Sequence, residues 1–128
     1  MSIKYIEDNF KKISKPDSKM FYDLANLYRQ FKMYNKSIDN YNLILDRFQL
    51  DDLSKASILY RRGTSYERLG NYSASDKDLL NSLKLNYDEA YVLNYLAYNW
   101  LERNHKILSN QLYCLLYTSD AADDIPRV

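Results

Sequence analysis

One cysteine, Cys114, in 128 residues allows no disulfide within the chain and leaves the redox compartment unreadable. Two glycines and two prolines are too few to punctuate an all-β chain, whose tight turns use both. The one histidine, His105, stands in "RNHK" without the partners that a zinc site or a catalytic triad requires, and reads as a solvated turn residue. No apolar run approaches the roughly 20 residues needed to span a membrane. "MSIKYIEDNF" lacks the apolar stretch of a secretory signal. Neither sign of charge dominates: 18 Lys and Arg stand against 17 Asp and Glu, a formal charge of +1. That balance argues against a nucleic-acid or anionic-membrane binder, which needs a basic excess.

Motifs for chemistry are also missing. There is no phosphate-binding loop, no dinucleotide glycine pattern and no nucleophile elbow. The acids of "LDRFQLDDL" and "SASDKD" lack the glycine and ligand spacing of a calcium loop and read as helix-end and turn charges. "YRRGTSYER" mixes arginine with tyrosine, a patch of the kind that can touch phosphate, but reads first as a solvated helix face with neighbours at i, i+4. The expectation is a chain that is not an enzyme and carries no cofactor or metal.

What is present is tyrosine, 14 of them, on helical spacing. Phe21, Leu24, Ala25, Tyr28 and Phe31 recur at intervals of three and four. Tyr34, Ile38, Tyr41, Leu45 and Phe48 form a second such face. Leu59, Gly63, Tyr66 and Leu69 form a third, and Tyr72, Leu79, Leu80 and Leu83 a fourth. Leu93, Leu96, Ala97 and Trp100 follow, and Ile3, Ile6, Phe10 and Ile13 open the chain. Pro16 blocks continuation of that first helix, and Asp17 or Ser18 is placed to cap the next. The pattern predicts an all-α chain of six helices and the start of a seventh, joined by short turns into antiparallel hairpins.

The faces also repeat. Tyr28, Tyr66 and Trp100 each follow a small residue by three: Ala25, Gly63 and Ala97. Phe21, Leu59 and Leu93 precede those small residues by four. Tyr34 and Tyr72 share a later slot, where the third copy has Lys106. The offsets are 38 and then 34 residues. A helical glycine costs about 1 kcal/mol against alanine, so Gly63 needs a packing reason.

This pattern resembles the tetratricopeptide repeat family, built from helical hairpins of about 34 residues. The resemblance implies a right-handed solenoid of about three repeats, spanning 18–51, 56–89 and a truncated 90–113, after the end of a preceding helix in 1–17. It places Ser37, Ser75 and Ser109 where the family usually has alanine, and Gly70 at an inter-helix turn. Arg62 stands in a usually apolar slot, and Tyr87 where proline is common. Tyr28, Tyr34, Tyr41, Tyr66 and Tyr72 match packing positions. "YDEAYVLNYLAYNWLERN" is similar to segments of long bacterial members, some of them envelope lipoproteins.

The family's concave face would draw Tyr22, Asn26 and Arg29 from the first copy. From the second it would draw Tyr60, Thr64 and Arg68, and from the third Tyr91, Asn94 and Tyr98. Tyrosine gives contact area and a hydrogen bond at low entropic cost, which suits a binding surface; the alternative is that Tyr22, Tyr60, Tyr91 and Tyr98 pack against the adjacent helix. Some members clamp a C-terminal carboxylate with Lys, Asn and Arg. Asn26 matches one clamp position, but Tyr22, Tyr91 and Tyr95 stand at others, so the chain departs from that mode.

The end of the chain reads differently. Residues 114–128, "CLLYTSDAADDIPRV", resemble a translated sequencing adaptor: codons for Cys114 to Asp123 are similar to a tagmentation adaptor, which resumes at Arg127 and Val128. The expectation is a natural segment ending near Tyr113, with a formal charge of +3 once Asp120, Asp123, Asp124 and Arg127 are set aside. A hairpin cut there would leave an apolar face uncovered and be marginal or self-associating. The function expected is a scaffold that takes a peptide or helix of a partner protein. The alternative is a structural spacer of a larger cytoplasmic or envelope protein. Neither nucleic acid nor membrane insertion is expected.

Overall fold

Four of the helices start where a side chain satisfies a free backbone donor of the first turn. Ser2 accepts from the Tyr5 amide and opens α1 (Ile3–Lys11). Asp17, one of the two residues placed to do so, accepts from the Met20 amide at 2.8 Å and opens α2 (Ser18–Gln30). Asp51 does the same for α4 (Asp52–Arg68) and Asn71 for α5 (Tyr72–Leu85). The start of α3 (Tyr34–Arg47) has no such side-chain bond. The last helix is α6 (Ala90–Arg103). This computed structural model describes residues 2–86 and 90–103, and every regular element among them is an α-helix. The expected seventh helix, His105, Ser109 and the adaptor-like stretch lie outside the described residues.

The chain divides into two units, Met1–Tyr87 and Asp88–Val128. In the first, α2 packs on α3, α3 on α4 and α4 on α5, while α2 also touches α4. A core of Ala25, Tyr41, Ile44 and Ile58 is closed by Phe21, Tyr22, Leu45, Phe48 and Leu50. The N-terminal helix docks by Phe10, whose ring meets Phe21 edge-on at 5.2 Å, and by Glu7, which accepts from Tyr28 Oη at 2.6 Å and Lys36 Nζ at 3.0 Å. The Tyr28 hydroxyl and then Lys36 hold the Glu7 carboxyl below its ordinary range. Burial, and then Glu7, raise the Tyr28 phenol.

The hairpins α2–α3 and α4–α5 share their details at the 38-residue offset. Both first helices end in one left-handed residue, Lys32 at φ 61° and Gly70 at φ 81°. The next amide closes on the same tyrosine in each: Met33 on the Tyr28 carbonyl at 2.8 Å, Asn71 on the Tyr66 carbonyl at 2.9 Å. This closure caps the helix and turns the chain back on itself. Ala25 lies in the core with Tyr41. At the equivalent place a β-carbon on Gly63 would meet Asp78 Cβ and Leu79 Cγ at 3.2 Å. That is the packing reason Gly63 requires.

Several expectations fail in detail. Phe31 and Leu69 are exposed, because each is the C-cap of its helix and falls past the buried stripe. Tyr72 is exposed at the first position of α5 rather than packed. Leu80 is exposed because consecutive helical residues lie about 100° apart and Leu79 takes the inward direction. Ile13 is exposed beyond the end of α1. In α6 the buried stripe is Val92, Leu96 and Asn99, with Leu93, Ala97 and Trp100 half-buried.

The charges also fall differently. Arg62 is not a solvated face residue: it grips Asp78 with two bonds, Nε to Oδ2 at 2.8 Å and Nη2 to Oδ1 at 2.7 Å. Its Nη1 donates to Asn42 Oδ1 at 2.8 Å. Asp78 is not a turn charge but is buried in the body of α5. The usually apolar slot is thus filled by an ion pair that ties α4 to α5 and, through Asn42, to α3.

Candidate functional site

The helices α2 and α4 lie side by side and run the same way. Ser18, Lys19 and Tyr22 share a pocket with Ser54, Ser57 and Ile58 near the two N-termini, and Arg29 reaches Thr64 further along. The pocket has a volume of about 320 Å³. Its floor is Ile44, Leu50 and Ile58, and its rim is serine, lysine and tyrosine. Helical geometry accounts for the shared face, since 18, 22, 26 and 29 on α2 and 54, 57, 61 and 64 on α4 recur at three and four.

Beyond the pocket the face becomes aromatic and cationic. Tyr22 is half-buried, its ring 6.3 Å from that of Tyr41. The Arg61 guanidinium lies over the Tyr22 ring, 5.6 Å from its centre. Tyr41, fully buried, donates its hydroxyl to Asn26 Oδ1. Burial pushes that hydroxyl's pKa up to about 12 against the opposing pull of Arg29 and Arg61, so the proton stays on Tyr41. Asn26 is thereby oriented by its Oδ1, and its amide hydrogens are donors that it can offer a ligand. Arg29 Nη1 donates to Thr64 Oγ1 at 3.4 Å, a long bond, and Arg29 Nε is buried without an acceptor. Thr64 is itself buried and donates to the Arg61 carbonyl at 2.7 Å.

The residues expected on one surface fall into separate groups. Tyr22, Asn26, Arg29 and Thr64 come together around Tyr41 and Arg61. Tyr60 is half-buried, and Arg68 lies near the C-terminal end of α4, 3.6 Å from Glu67. In the second unit Tyr91, Asn94 and Tyr98 share one exposed face of α6 with Leu101. Sequence reasoning missed Tyr41 and Arg61 as parts of the site. The spacing did place Arg61 three residues before Thr64, and so on the same face; Tyr41 gave no signal apart from its packing slot. Among the described residues no cluster of His, Cys, Asp and Glu could hold a metal ion. None of the described helices is long and apolar enough to cross a membrane.

Neither a protein-family model, a curated protein nor a solved structure matches the chain.

Proposed function

We propose that the chain is a tetratricopeptide-like scaffold, and that the groove between α2 and α4 binds an extended or helical segment of a partner protein. The observation that carries this reading is the face itself. A pocket of about 320 Å³ with an apolar floor opens beside Tyr22, and aromatic and hydrogen-bonding groups continue from it along both helices. A floor to desolvate an anchor residue, with polar groups around it, is the anatomy of a peptide site. The 38-residue equivalence of the two hairpins supports the repeat reading.

The test is a selection of displayed random 12-residue peptides on the full chain. Enriched sequences should share an apolar anchor. Ser57→Trp, which fills the pocket from its rim, should abolish their binding without moving the melting temperature. If no sequence is enriched, or if Ser57→Trp binds as well as the native chain, the groove reading fails. The chain would then be a structural spacer.

A further inference from the structure

We infer that the groove selects an acidic side chain, an aspartate or glutamate of the bound segment that seats against Arg29 and Arg61; this rests on the groove reading above. The two arginines come from neighbouring helices and converge on one place: Arg61 over the Tyr22 ring, Arg29 against Thr64, and both bearing on the Tyr41 hydroxyl. Among the described residues, neither has a carboxylate within ion-pair distance. Their neighbours on α4 differ in this, since Arg62 is held by Asp78 and Arg68 lies beside Glu67.

A carboxylate seated on this face can accept from guanidinium groups of both helices, which a neutral side chain does less well. Arg29 has donors to spare: a guanidinium has five N–H donors, and here Nη1 makes a long bond to Thr64, the group also bears on the Tyr41 hydroxyl, and Nε is buried with no acceptor among the described residues. Arg61 is oriented in advance by stacking on Tyr22, so less freedom is lost when it binds. A planar fork matches a carboxylate better than it matches a neutral amide. The amide hydrogens of Asn26 add a neutral donor at the same place. With 18 basic against 17 acidic residues the chain lacks the overall basic excess that a polyanion binder needs, which favours one acidic side chain.

The same display selection tests this, with every peptide fused through its C-terminus so that only side chains and no terminal group carry a carboxylate. Enriched peptides should hold Asp or Glu at a constant distance from the apolar anchor. Fluorescence anisotropy would then compare one such peptide with its Asp→Asn form. Loss of a charge-assisted bond should weaken binding to the native chain about tenfold or more. Against Arg61→Gln or Arg29→Gln the two peptides should bind within about threefold of each other. Arg61 is half-buried on the groove face, so Arg61→Gln keeps the test usable even if Arg29→Gln unfolds the chain. Enriched peptides without a conserved acid would overturn the inference and leave the groove reading standing. So would an acid whose replacement costs the same on native and variant chains. No enrichment at all would overturn both.

Discussion

Ser37 and Ser75 occupy the same slot in successive hairpins, each the fourth residue of its helix, and the structure assigns them opposite energetic signs. Both are essentially fully buried. Ser37 Oγ donates to the Tyr34 carbonyl at 2.8 Å and lies 2.9 Å from Ser65 Oγ, which is also fully buried. Ser75 Oγ has no hydrogen-bond partner among the described residues. Replacing either by alanine gains about 0.5 kcal/mol of helix propensity. Ser37→Ala then loses two hydrogen bonds of about 1 kcal/mol each and strands Ser65. The net expectation is a destabilisation of about 1–2 kcal/mol. Ser75→Ala removes an unsatisfied hydroxyl whose burial costs about 1 kcal/mol or more, so with the propensity gain it should stabilise by about 1.5 kcal/mol. Because the propensity gain is common to both, the difference of about 2.5–3.5 kcal/mol isolates the hydrogen bonds and the cost of burying a hydroxyl without one. Urea unfolding of the full chain, followed by circular dichroism, measures it. Equal slopes would show that the unfolded states are comparable. The reasoning is refuted if the two variants shift stability in the same direction by similar amounts.

Four further outcomes are expected. Asp78→Ala should cost about 3 kcal/mol by stranding Arg62, while Arg62→Met with Asp78→Leu should cost much less; a double variant no better than the single one would count against the pair's isolation. Gly63→Ala should destabilise by about 1–2 kcal/mol despite its propensity gain, because Asp78 is pinned by Arg62 and Leu79 is fully buried, so neither can yield; a stabilised variant in a thermal melt would contradict this. Lys32→Gly should stabilise by about 0.5–1 kcal/mol by relieving the left-handed backbone, again read from melting. Glu7 is depressed in the folded chain, so its contribution is present above its ordinary pKa of 4.5 and lost as pH falls through the lower folded value. Native chain and Glu7→Gln should therefore differ in amide exchange of α1 at neutral pH and converge in acid, and a difference that persists in acid would refute the linkage.

The helical class, the hairpin turns and the need for a small residue at position 63 were legible because they depend on local spacing and on backbone conformations that few residues adopt. Gly70 announced its left-handed turn by its identity. Lys32 adopts the same turn unannounced, because the closing hydrogen bonds of the first hairpin offset the cost of its side chain. The 38-residue register was visible in Ala25 and Gly63, and it survives as matching capping bonds at Tyr28 and Tyr66.

What depended on tertiary structure was the fate of polar and charged groups, since a charge in a helical repeat reads as solvated until the facing helix is known. Arg62 looked like surface, and Asp78 like a turn acid. Only the packing of α4 on α5 brings them together, and removal from water is what makes their pairing obligatory. The same holds for the groove. Tyr22, Asn26 and Arg29 recur at three and four along α2, a property of a single helix, but it took the resemblance to the repeat family to set them on one surface with Thr64 of α4. The roles of Tyr41 and Arg61 were legible from neither, because they arise where α2, α3 and α4 meet. Periodicity decides which residues share a side of a helix; the approach of a second helix decides which of them are left facing an unmatched charge.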